Sequence, residues 1–144
     1  MDSGIEIRVV GWNEAMPLSR AVREEVFIVE QRVPRELEWD DADAASRHAL
    51  ALDASGRCIG TARLLPDGHL GRMAVRAPWR RRGVGAALAT ALIKQAKADG
   101  HRRIVLHAQT HAAAFYRRLG FAEEGGVFEE AGIPHIRMWR DLAS

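Results

Sequence analysis

Residues 78–100 read PWRRRGVGAALATALIKQAKADG, and no other stretch restricts the fold as strongly. Three arginines run into Gly83-Val84-Gly85, and a helical pattern begins at once. Val84, Leu88, Ala91 and Leu92 fall on one face of that helix, and Gly100 suits its C-terminal end. A strand from about His69 to Val75 precedes it. The short apolar run RIVLHA follows it and reads as a central strand. Strand, helix and buried strand in succession set the class: a mixed α/β domain.

The rest of the chain fits that class. Ile5, Ile7 and Val9 alternate with Glu6 and Arg8, which predicts a strand. Asn13 is placed to cap the next helix. Leu18, Val22, Val26 and Val29 carry that helix to about Gln31. The segment RVPRELEWDDADAASRH is polar, acidic and broken by Pro34, so it reads as a loop. His48, Leu50 and Leu52 begin a second strand, and DASG turns into a third from Arg57 to Leu65. PDG turns into the fourth, giving an antiparallel meander. Downstream, Ala112, Phe115, Tyr116 and Leu119 mark one face of a short helix that Gly120 stops. Two strands, about Phe121–Phe128 and Ile133–Arg140, finish the chain. With 144 residues and no repeat, low-complexity tract or long linker, residues 1–144 make one domain.

The opening stretch has a chemical meaning. Gly83 and Gly85 let the backbone turn tightly and leave room for a ligand. The first helical turn has N–H groups with no intrahelical partner, and the helix dipole adds positive potential. Phosphate is a common occupant of such a site. Neither GxxxxGK[ST] nor GxGxxG is present, which argues against an ATPase or a dinucleotide enzyme. Lys and Arg exceed Asp and Glu by only 21 to 19, so the total charge points to no particular partner. A nucleic-acid surface would rest on Arg80–Arg82 with Arg102 and Arg103 alone, and its binding would weaken steeply with salt. The single cysteine, Cys58, cannot form an intramolecular disulfide and fits a reducing, cytoplasmic setting. No apolar run approaches the ~18 residues of a membrane span. His107 and His111 belong to a strand and a helix and make a poor metal pair. No HExxH or CxxC is present, so no metal is expected.

These residues resemble a known family. Arg80-x-x-Gly83-x-Gly85 matches the Q/R-x-x-G-x-G/A pyrophosphate loop of the GNAT N-acetyltransferases. GRMAV resembles the strand before that loop, and AQTHAAAFYRRLGF resembles the family's second signature. The element order agrees, so the resemblance covers nearly the whole chain. VFIVEQRVP, RHALAL, FYRRLGF and EEAGIPHIRM further resemble the ElaA-like branch. The resemblance implies a mixed central sheet of about six to seven strands flanked by helices, with two splayed parallel strands forming a CoA cleft. It implies acetyl transfer from acetyl-CoA, by direct transfer in a ternary complex, to an amine on a small molecule or peptide. Many members dimerise, which leaves a homodimer open. The alternative is a non-catalytic acyl-CoA-binding or sensing module.

Carried over residue by residue, backbone groups at Met73, Ala74 and Val75 would hold the pantetheine arm like an added strand. Backbone N–H groups of Arg81, Arg82, Gly83, Val84, Gly85 and Ala86 would hold the pyrophosphate, and the side chains of Arg80–Arg82 would reach the outer phosphates. Gln109 would contact the cofactor arm, and Ala112 and Phe115 would line its channel. Tyr116 would be the acid: a phenol, with ordinary pKa ~10, can protonate the departing sulfur. The Val75 N–H would receive the carbonyl oxygen. An amine of pKa ~10.4 must also lose a proton. Glu30, His48, Glu129, Glu130 and His135 are candidate bases, each also readable as a strand-end or solvated side chain. Glu130 and His135 are equally candidates for binding the acceptor. Arg63 and Arg72 bind an acidic acceptor if they face the cleft and are ordinary surface arginines if they do not. The acidic segment ELEWDDAD either attracts a cation or is simply solvated.

Overall fold

The structure, a computed structural model, describes residues 4–142. Its strands are β1 (Glu6–Val10), β2 (Arg47–Leu52), β3 (Cys58–Leu64), β4 (His69–Val75), β5 (Arg103–Gln109), β6 (Ala122–Glu130) and β7 (Ile133–Asp141). They form one seven-stranded sheet in the order β1-β2-β3-β4-β5-β7-β6. The α-helices are α1 (Trp12–Arg23), α2 (Arg35–Glu38), α3 (Val84–Ala98) and α4 (Ala113–Arg118). Among the described residues no helix is long and apolar enough to cross a membrane.

The core follows strand alternation. In β2, Ala49 and Ala51 join the cluster under α3, while Leu50 and Leu52 join the cluster under α1. A strand covered on both faces needs apolar residues at every position, and RHALAL supplies them from Ala49 onward. Gly60 on β3 lets α3 close on the sheet: a Cβ there would sit 3.1 Å from Val84 Cγ1 and 3.2 Å from Leu88 Cδ1.

Three local expectations change. Asn13 does not cap α1; the helix starts at Trp12 with Gly11 at the N-cap and no side-chain cap. The expected long first helix does reach Gln31, but Glu24–Glu30 is π-helical. Its wider turn is visible in the Gln31 N–H bond to the Val26 carbonyl, five residues back. That widening rotates Val29 into solvent, 68 % exposed, and turns Phe27 inward. The acidic segment is no solvated loop: it holds α2 and a 3₁₀ turn, Asp41–Ala45, with the Asp40 carboxylate accepting from Ala42 N–H at 3.1 Å.

Candidate active site

The sheet is antiparallel except where β4 meets β5. That parallel contact is brief: His69 pairs with Val105 and Leu70 with Leu106, and there the pairing ends. A bulge supplies the cause. The β3–β4 register shifts between Thr61 and Arg63, and Arg72 takes a left-handed conformation at φ 49°. One extra residue bends β4 away from β5. The gap widens into a cavity of about 650 Å³ lined by Met73, Leu106, Ala108, Phe115 and Tyr116 among others.

The ladder shows which backbone groups face that gap. Arg76 N–H donates to the Ile59 carbonyl, so in the alternating antiparallel pattern Ala74 is bonded to Thr61 and Val75 points away from β3. The Ala74 backbone groups are thus turned to β3. The Val75 carbonyl accepts from Arg80 Nε at 2.9 Å, and its N–H shares the same open side.

At the C-terminal end of β4 the chain enters α3 through Gly83, which caps the helix at φ 81°, ψ 6°. A left-handed cap of that kind favours glycine. The first α3 hydrogen bond runs from Ala87 N–H to the Gly83 carbonyl. The N–H groups of Val84, Gly85 and Ala86 thus have no carbonyl of the helix before them. A Cβ on Gly85 would lie 3.4 Å from Phe115 Cζ and 3.6 Å from Met73 Sδ. Two of the arginines have partners within the chain. Arg80 folds back and grips Glu30 with NH1 and NH2 at 2.6 and 2.7 Å. Arg82 lies over the Trp79 ring at 5.2 Å.

Tyr116 stands on α4 between Phe115 and Phe121, with ring centroids 4.9 and 5.9 Å away. Its hydroxyl points at Met73 Sδ, 3.7 Å away, a weak acceptor. Burial pushes its pKa up to about 12, so the phenol keeps its proton at neutral pH.

Arg63 and Arg72 face the cavity, but carboxylates of the acidic segment meet them there. Arg63 NH1 reaches Asp40 at 2.8 Å and Asp43 at 3.1 Å. Arg72 reaches Asp40 at 3.3 Å and Glu38 at 3.4 Å. Arg23, only 1 % exposed, closes the cluster: Nε donates to Glu38 at 2.7 Å and NH1 to Asp43 at 2.8 Å. Burial raises the Glu38 carboxyl against the pull of Arg72, Arg23 and Arg63. Burial also works to raise Asp40, yet the Arg63 hydrogen bond and the charges of Arg63 and Arg72 lower it overall. Three arginines answer three carboxylates, so this wall of the cavity carries no net charge.

The candidate bases separate sharply. The Glu30 carboxylate is held low by its Arg80 hydrogen bond and is a poor proton acceptor. His48 is 1 % exposed, tilted against Trp12 at 4.8 Å, and bonded through Nε2 to the Asp43 carbonyl at 2.9 Å. Burial lowers its pKa. It sits outside the cavity lining because the covering α1 helix takes up that face of β2. Gln109 donates to the Gln31 side chain at 2.9 Å, tying the end of the π-helix across the gap. Glu130 and His135 do line the cavity, together with His107. Sequence reading weighed His107 only as half of a metal pair with His111, although alternation with buried Leu106 and Ala108 turns it to the opposite face. Gln31 was missed, and Glu38 and Asp40 were read only as part of the acidic segment; their partners lie far away in sequence. Among the described residues no group of three or more His, Cys, Asp or Glu is placed to hold a metal ion. Cys58 is buried, its thiol pushed up by burial, and does not suit a nucleophile.

Known proteins share this arrangement. Residues 14–142 match the family described as "Acetyltransferase (GNAT) domain". The uncharacterized N-acetyltransferase YjcF of Bacillus subtilis is 39 % identical over 124 residues, which is 83 % of this chain and 88 % of that protein. Protein ElaA of Escherichia coli is 31 % identical over 125 residues, 81 % of each chain. The crystal structure of ElaA superposes with TM-score 0.85 at 28 % identity, covering 95 % of this chain and 99 % of that one. An acyl-CoA N-acyltransferase from Pseudomonas aeruginosa superposes with TM-score 0.84 at 28 % identity, covering 94 % and 99 %.

Proposed function

Because the chain belongs to the GNAT acetyltransferase family, we propose that it moves an acetyl group from acetyl-CoA to a primary amine by direct transfer in a ternary complex. The observation that carries this reading is the early end of β4–β5 pairing beside the open N-terminus of α3. Acetyl-CoA, when bound, supplies an acetyl group activated as a thioester. The backbone of Val75 on the open side of β4 presents hydrogen-bonding groups to an extended arm. The N–H groups of Val84, Gly85 and Ala86, at the positive end of the helix dipole, receive phosphate. The absence of a side chain at Gly85 keeps space beside Phe115 and Met73.

Overall the reaction forms one C–N bond and breaks the thioester C–S bond. The acceptor ammonium gives up two protons, one ending on the sulfur and one in solvent. Tyr116 donates its hydroxyl proton to the sulfur as the C–S bond breaks and regains one afterwards. The Val75 N–H donates to the acetyl oxygen as negative charge builds there. Arg80, itself paired with Glu30, fixes the β4 end by donating to the Val75 carbonyl on that same open side.

Calorimetric titration tests the reading. Acetyl-CoA and free CoA are expected to bind saturably at 1:1, and absence of binding at millimolar ligand would remove it. Gly85→Leu is expected to drive a side chain toward Phe115 and Met73 and weaken CoA binding about 100-fold or more. Gly83→Val should weaken it less, through strain at the left-handed cap. Wild-type affinity in both variants would place the phosphates elsewhere.

A further inference from the structure

The reaction needs a group that relieves the acceptor ammonium of its first proton, and two of the candidate bases, Glu30 and His48, do not line the cavity. Resting on the acetyltransferase reading, we propose that His107, oriented by Glu130, takes that proton, and that this corner of the cavity receives the charged end of a primary alkylamine.

The geometry is that of an oriented imidazole. His107 Nδ1 lies 2.8 Å from Glu130 Oε1. An ionised carboxylate only accepts, so Nδ1 carries the ring proton and donates it. The lone pair is left on Nε2, the arrangement a proton acceptor requires. The Glu130 carboxylate also attracts the incoming ammonium and stabilises the imidazolium once formed. The proton moves from the ammonium nitrogen to Nε2, which frees the nitrogen lone pair for the acetyl carbon. His107, a third exposed, then passes the proton to solvent.

The setting is rigid and one-sided. Glu130 ends β6, and the Ala131–Gly132 turn that follows has φ 53° and 76°, the two positive values of a tight two-residue hairpin. Phe128 meets the His107 ring edge-on at 5.1 Å. Four titratable or charged groups on β4, β6 and β7 face His107. His69 on β4 lies with its ring 6.0 Å away, and Glu130 is on β6. On β7, His135 has Nε2 3.9 Å from Glu130 Oε2, and Arg137 stands opposite in register and leans to Glu124 at 3.8 Å. His135 is the weaker candidate: it is 6 % exposed and its Nδ1 is held by the Ile133 carbonyl at 2.6 Å. On β5, Leu106 and Ala108 turn toward the α3 core and His107 to the other face. The parting of β4 and β5 joins the two faces, so His107 and Tyr116 line one cavity. Amine and thioester thus approach from opposite sides of the sheet.

The first test needs no acceptor. Two-bond ¹H–¹⁵N correlation spectra of the ¹⁵N-labelled protein, with His107 assigned by its loss in His107→Gln, should show the Nδ1-protonated tautomer alone. Glu130→Gln should let the Nε2-protonated form appear, and His107 in the Nε2-protonated form in wild type overturns the proposal. The second test measures thiol release from acetyl-CoA with propylamine and with hydroxylamine, which is largely uncharged at neutral pH. His107→Gln should lower kcat/KM for propylamine about 100-fold, and at least tenfold more than for hydroxylamine. Equal losses would show a merely structural role, and no loss would show that another group takes the proton; either overturns it. Wild-type protein that binds acetyl-CoA but leaves the tautomer indifferent to Glu130 sinks this proposal alone. Wild-type protein that neither binds acetyl-CoA nor releases thiol sinks the parent reading with it.

Discussion

Tyr116→Phe is expected to lower kcat about 10²- to 10⁴-fold while acetyl-CoA affinity changes by no more than about threefold. The split follows from what the substitution removes. Phenylalanine keeps the edge contacts to Phe115 and Phe121 and the cover over Met73, so the cavity wall stays in place. Only the hydroxyl is lost. That hydroxyl has no strong acceptor in the free protein, since its neighbour is the Met73 thioether at 3.7 Å. Its pKa of about 12 keeps it protonated over the whole range in which an assay runs. The residual rate should therefore show no new ionisation, and steady-state kinetics paired with calorimetry checks both halves. Unchanged kcat would remove Tyr116 as the acid; lost affinity would make it a wall.

Arg23→Met is expected to reduce unfolding free energy by about 3–5 kcal/mol, which is roughly 10–20 °C in Tm for a chain of this size. Among the described residues Arg23 is the only cation bonded to both Glu38 and Asp43, and all three are nearly sealed from water. Methionine fills much of the volume and leaves two buried carboxylates short of a partner. The deficit has a definite pH dependence. Burial already raises the Glu38 carboxyl above its ordinary 4.5, and removing one opposing cation raises it further. A carboxyl whose folded pKa lies above its unfolded value favours folding at low pH and loses that contribution as pH rises through the interval between them. The deficit of the variant should accordingly shrink at and below pH 4.5 and grow toward neutrality. Chemical unfolding at both pH values checks this, and a loss below about 1 kcal/mol at neutral pH would mean the cluster behaves as a solvated surface pair.

Sequence pattern and structure agree most where the signal is local. β4 spans His69–Val75 as alternation and its flanking turns predict, and α3 starts at Val84, directly after the glycine that its left-handed cap requires. The glycine loop, the helix start and the FY pair were legible for the same reason: they are short contiguous motifs. The charged wall of the cavity was not, because its interactions join distant residues. Glu38 meets Arg23 across 15 positions, Asp43 meets Arg63 across 20, and Glu30 meets Arg80 across 50. Nothing in ELEWDDAD announces that its carboxylates have buried partners. The π-helix hid itself differently: Val29 satisfies a 3.6-residue spacing, and only the five-residue hydrogen bond to Val26 shows that the face has rotated. The β4 bulge left no trace either, since arginine at φ 49° is not a residue that composition would pick for that role.

The seam between β4 and β5 behaves like a zipper halted after two teeth, His69–Val105 and Leu70–Leu106. Within the sheet, β1 to β4 on one side meet β5 to β7 on the other through that short run, and the α3 crossover and the Gln31–Gln109 tie are among the links outside it. A molecule laid into the open part continues the stitching. It then works as a splint, and the stability of the whole sheet registers its presence. At a hundredfold excess over Kd such a splint adds about 2.7 kcal/mol to the unfolding free energy. Melting curves taken with separate fragments of a ligand, an adenosine diphosphate end and a pantetheine arm, would then rank the fragments as braces. The arm alone should slow amide exchange along residues 71–75 and 107–109, on both lips of the seam.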